Sequence, residues 1–231
     1  MRSAKAFALR PRVFALRPRV FALRVLVVGC VIAAFGLAFA LTPPRGPRSM
    51  RQFDADRLAS LEVHMWQAYY DKERVRLFGL LVTMLHEQYH YSWAGATVEG
   101  FHLARAAATF GDLKDHYEVV LPDLEAAYDK ARSWTGASFD ARAVARAELA
   151  WWEARRIPGR NSPEQIGQLI AEEYALLYES SAGAMSAAAL LRAQAAAIRD
   201  AKAEHPDWSA IARLLQQSYR ELREALASAN A

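Results

Sequence analysis

Residues 54–89 read DADRLASLEVHMWQAYYDKERVRLFGLLVTMLHEQY. Asp54 is a capping residue, and Leu58, Leu61, Met65 and Tyr69 follow at spacings of three and four, one stripe of a helix. From about Glu73 the pattern changes. Residues 77–85, LFGLLVTML, are apolar all round, as in a central bundle helix, and they are too few to cross a bilayer. The two segments are expected as consecutive helices or as one continuous helix. An all-apolar helix needs others to cover it, so the stretch predicts an all-α bundle.

The rest of the chain supplies the covering helices. Residues 50–231 contain 38 alanines but only four prolines and eight glycines, and no persistent alternating strand pattern runs through them. Ser92 should cap a helix that Gly111 stops near Phe110, and Asp112 should open the next, kinked or divided at Pro122 and ended by Thr135-Gly136. Asp140 caps a helix carrying Val144, Leu149, Trp151 and Trp152. Ser162-Pro163-Glu164-Gln165 combines an N-cap, an N1 proline and an N3 glutamine, the most specific local signal in the chain. Helices over 184–203 and 207–227 complete a bundle of about seven in one domain, residues 50–231.

Upstream, residues 6–24 form the direct repeat AFALRPR, VFALRPR, VFALR, whose Pro11 and Pro18 argue against a coiled coil. Residues 1–24 are a basic leader. Residues 25–42, VLVVGCVIAAFGLAFALT, carry no charge and would span about 27 Å as a helix, enough for a bilayer core. Residues 43–49 read as a Pro-rich linker. Seven basic residues precede the apolar span, against Arg45, Arg48 and Arg51 after it, which favours a single-pass signal anchor embedded in membrane lipid with the C-terminal domain outside the cytoplasm. Other readings stay open: a signal cleaved after Ala38-Phe39-Ala40, a weak lipoprotein-like box at Val27-Val28-Gly29-Cys30, or a start at Met50, which would leave the protein cytoplasmic.

Residues 1–49 hold nine basic side chains and no acid, so residues 50–231 carry a net charge of −5 although the whole chain is at +4. A general nucleic-acid binder usually needs a basic face to neutralise phosphates, this domain is acidic overall, and no nucleic-acid partner is expected. Cys30, the sole cysteine, excludes an internal disulfide. No P-loop, Rossmann glycine pattern or G-x-S-x-G elbow is present. On Arg51, Phe53, Leu61-Glu62, Met65-Trp66-Gln67-Ala68-Tyr69-Tyr70 and Glu87-Gln88-Tyr89, the segment from Met50 to about Tyr89 resembles a loosely defined group of uncharacterised helical bacterial proteins. That resemblance implies an all-helical fold and nothing further.

Two constellations could carry chemistry. His86-Glu87-Gln88-Tyr89-His90 is formally H-E-x-x-H: on a helix His86 and His90 could hold zinc while Glu87 activates water as the catalytic base. It lacks a third histidine in a metzincin extension, and Glu99 could serve as a further ligand only if the chain reverses near Ser92. Helix-terminal histidines at the negative end of the dipole are the simpler account. Secondly, Glu62, Glu148 and Glu173 each sit within an apolar stripe. With Glu87-x-x-His90 and Glu99-x-x-His102 they supply the ligand types of a di-iron bundle, in the wrong order along the chain. Otherwise they are buried carboxylates paired with Arg105, Arg132, Arg142 or Arg146, or bonded to Tyr and Trp donors. Trp66, Tyr69, Tyr70, Trp151 and Trp152 are expected as core or as an aromatic pocket.

The expectation from these patterns is a membrane-anchored, non-enzymatic module without a cofactor, binding a protein or small ligand in a groove between helices. The alternative is a zinc hydrolase or a di-iron enzyme.

Overall fold

The computed structural model describes residues 18–201 and 205–229, with side chains from residue 22 onward. Most of the basic leader therefore lies outside the described residues. The chain divides into two compact units, Met1–Ala40 and Leu41–Ala231.

The described part of the first unit is helix α1, Pro18–Leu41. Pro18 does not interrupt this helix but begins it, at a position where a missing N–H costs nothing. Within it Ala22–Leu41 is a 20-residue apolar stretch, none of it buried, long enough to cross a bilayer core. Ile32, Phe35 and Phe39 stand exposed along it. One exposed apolar helix near the N-terminus is consistent with a membrane span or a signal anchor.

Among the described residues the second unit is eight helices: α2 Ala55–Tyr70, α3 Arg74–Tyr89, α4 Trp93–Asp112, α5 Leu121–Thr135, α6 Ala141–Ala154, α7 Pro163–Leu177, α8 Ala182–Asp200 and α9 Trp208–Ser228. Their starts follow the sequence. The side chains of Asp54, Ser92, Asp140, Ser181 and Asp207 accept from the first-turn amides, and Ser162 with Gln165 closes a reciprocal capping box. One reading left open is decided, and two local readings differ. Residues 54–89 form two helices, because Lys72 takes a left-handed conformation (φ 58°) and turns the chain between α2 and α3. Gly111 does not stop α4, which runs one residue further; a Cβ there would meet the Tyr69 hydroxyl at 3.1 Å, so close approach accounts for the glycine. Pro122 produces no kink, because it sits in the first turn of α5 after a 3-10 turn at Tyr117–Val120.

Each helix packs on its successor, and α9 packs on α2, so the eight close into a ring. Short connections make sequential neighbours antiparallel, giving the ring two ends. At the near end, where α2 begins, the Asp54 amide donates to Gln88 (2.9 Å), Arg57 pairs with Glu87 (2.8 Å) and Arg220 with Asp56 (2.8 Å). At the far end Arg74 pairs with Asp112 (2.6 Å), while Arg156 donates to the carbonyls of Phe110 and Leu113. Residues 43–49 do not run free. Gly46 lies so close to the His90 ring that a Cβ would fall 2.1 Å from its Nε2, and Arg48 covers Trp134 at 4.2 Å, both at the near end.

Candidate functional site

A cavity of about 420 Å³ occupies the middle of the ring, and all eight helices contribute to its wall. Helix α2 brings Glu62, Met65, Trp66, Tyr69 and Tyr70, the stripe recognised in the sequence. Helix α3 supplies Leu77, Leu81, Leu85 and Tyr89, α4 Glu99, Leu103 and Phe110, and α6 Glu148, Trp151 and Trp152. Of the lining residues only Arg156 and Asp200 are exposed, and both lie at the far end. Beside them Arg155 binds Asp200 through Nε and Nη2 (2.9 Å each) and donates to the Tyr70 hydroxyl (2.7 Å), so the cavity mouth is rimmed by a tied polar network.

Three of the carboxylates predicted from sequence converge on this interior. Glu62 is almost wholly buried and accepts from Arg192 Nη2 (2.6 Å) and Nε (3.0 Å), Trp66 Nε1 (3.1 Å) and the Tyr219 hydroxyl (2.5 Å). Such a charge tolerates burial because each oxygen has a donor and the two bonds to Arg192 come from a cation. Glu173 accepts from Trp151 Nε1 (2.6 Å), and Tyr128 places its one hydroxyl between Glu148 (2.8 Å) and Glu173 (3.3 Å). A single phenol proton serves one of these carboxylates at a time. Burial, reinforced by the charge of Glu173, raises the Glu148 pKa well above the ordinary carboxylate range, against the opposing pull of Tyr128 and Arg192.

Beside the unpartnered Tyr91 hydroxyl lies Glu99, which the sequence offered only as an accessory ligand. It is 4% exposed, lines the cavity, and its Oε2 has no hydrogen-bond partner in the protein. Burial pushes its pKa up to about 7, partly opposed by the nearby Tyr91 hydroxyl and the charge of Lys130.

The H-E-x-x-H residues lie elsewhere. His86 Nδ1 sits 2.8 Å from the Tyr91 carbonyl, and its ring stacks on Trp93 at 3.8 Å. Glu87 points outward to Arg57. His90 is the left-handed C-cap of α3 (φ 55°), so it has left the helical face that i, i+4 spacing would share with His86. None of the three lines the cavity. Among the described residues no group of three or more His, Cys, Asp or Glu side chains could hold a metal ion.

Three of the four arginines proposed as carboxylate partners are engaged otherwise, Arg105, with His102, clamping Asp123, Arg132 pairing with Asp129 and Arg142 with Glu125, and the fourth, Arg146, is exposed. The working arginine is Arg192, which the sequence reading missed. Its signal was present, since it shares one face of α8 with Ala188, Ala195 and Ala196, a lone long cation in a small-residue stripe. Comparison with protein-family models, curated proteins and solved structures found no match.

Proposed function

We propose that this chain is a membrane-tethered, non-enzymatic binding module that takes a small, largely apolar ligand into the central cavity of the helix ring. The observation carrying this reading is the cavity itself: its volume lies in the range of small-molecule sites, it is walled by aromatic and aliphatic side chains, and a few polar groups converge on it. A space that size is costly to leave unfilled. The tether reading is supported by the exposed apolar stretch of α1 and by the excess of basic residues before it.

The ligand test is a titration of the full chain in lipid nanodiscs with 4-phenylbutan-1-ol, read by tryptophan emission and thermal melting. Saturable binding at one per chain and a raised Tm are expected, both abolished by Ala107→Phe, which fills the cavity from α4. Binding undiminished in that variant would overturn the proposal. Peptide mapping of the native protein checks the tether: peptides from residues 25–42 are expected, and a population beginning only at Met50 would remove it. A chelator should leave Tm and emission unchanged, whereas a stoichiometric metal lost with His90→Ala would restore the hydrolase reading.

A further inference from the structure

Four carboxylates, Glu62, Glu99, Glu148 and Glu173, are drawn into the interior of one small ring. Among the described residues Arg192 is the only arginine or lysine bonded to any of them, and both of its contacts go to Glu62. Arg155 is committed to Asp200 and Tyr70 at the far end, and Arg156 to backbone carbonyls and the Phe110 ring. Glu148 and Glu99 are therefore left facing the cavity with no cation bonded to them, Arg192 and Lys130 acting on them only at a distance. Glu148 has a share of one tyrosine hydroxyl, and Glu99 keeps an oxygen with no partner.

We infer that the ligand of this cavity is an organic cation, an amine or quaternary ammonium on a hydrocarbon or aromatic body, whose charged group seats against Glu99 and Glu148. The inference rests on the cavity being a binding site, as proposed above. A cation supplies both missing elements, a counter-charge for the acids and a partner for the electron-rich face of the Tyr89 ring on the wall, whereas Trp151 and Trp66 already have arginines over them. An anionic ligand would add charge of the same sign in a poorly solvated space. A neutral one would fill the volume, and a hydroxyl could reach Glu99 Oε2, but it would bring no counter-charge to the acids. The apolar body of the ligand fits the aliphatic wall of Met65, Leu77, Leu81 and Leu103.

Three probes on one scaffold separate the terms: 4-phenylbutylamine, 4-phenylbutan-1-ol and 4-phenylbutyrate, titrated calorimetrically into the full chain in zwitterionic nanodiscs, with empty nanodiscs subtracted. The amine is expected to bind about tenfold or more tighter than the alcohol, in line with a desolvated cation–π and ion-pair contact, and the carboxylate not at all. Glu99→Gln and Glu148→Gln should each narrow the ratio of amine to alcohol affinity. Should Glu99→Gln fail to fold, Glu148→Gln carries the same comparison. An alcohol that binds as tightly as the amine sinks the cation inference and leaves the cavity reading standing. An amine preference that survives both variants also sinks it, and binding by none of the three overturns both.

Discussion

Arg192 holds the interior in register at the scale of single side chains. Replacing it with methionine keeps the volume but strands Glu62, and a stranded buried charge costs about 3–5 kcal/mol. Chemical unfolding followed by tryptophan emission should show that loss, and Glu62→Met combined with Arg192→Met should recover part of it, because the stranded Glu62 charge is gone although Trp66 and Tyr219 lose their acceptor. Glu99 gives a pH signature. Its pKa is about 7 in the folded state against an ordinary 4.5, so the folded chain holds more protons than the unfolded one between those values. Stability from this group is present in full at low pH, falls as pH rises from about 4.5 to 7 by on the order of 3 kcal/mol, and levels off above. Glu148 acts in the same direction. Glu99→Gln should flatten that slope in Tm measured across the window. The burial of Glu62 and Glu173 was legible from their place in apolar stripes, and their Tyr and Trp donors were foreseen in kind. The arginine was not, since a stripe shows which face a residue occupies but not which distant helix comes to meet it.

Helix starts were the most legible elements, because a cap is a local bargain between one side chain and its own first turn. Ser162→Ala should therefore cost about 1 kcal/mol and lower Tm by a few degrees. Helix ends and breaks were read less well. Gly111 and Pro122 each carried the right residue type for a stop, yet one serves a neighbour's hydroxyl and the other opens a helix, distinctions that only packing decides. The same contrast makes a prediction from two glycines. At Gly79, exposed in α3, a Cβ meets nothing, and Gly79→Ala should stabilise the unit by roughly 0.5–1 kcal/mol. At Gly167 in α7 a Cβ would lie 3.0 Å from the Leu190 Cα of α8, and Gly167→Ala should destabilise it by about 1–3 kcal/mol despite better propensity. Parallel thermal melts of the two variants decide the matter.

For the molecule as a whole, the all-helical class followed from composition and periodicity, whereas the ring did not. Eight amphipathic helices can be stacked in many ways, and only the pairing of α9 with α2 closes the set and leaves a space in the middle. The cavity was accordingly legible as aromatic side chains on α2 and α6 but not as a volume. The closure also frees the packing from the order of the chain. Arg220 reaches Asp56, the Phe53 and Tyr219 rings meet at 5.9 Å, and Ser49 and Phe53 share a cleft with Leu226 and Ala227, so the path enters and leaves the ring side by side. A circular permutant that starts at Ala182, with a short bridge from Ala229 back to Arg51, would keep every helix interface except for the covalent step between α7 and α8. Such a chain leaves out α1, so the closed ring of α2 to α9 could be tested for the proposed binding apart from the apolar helix.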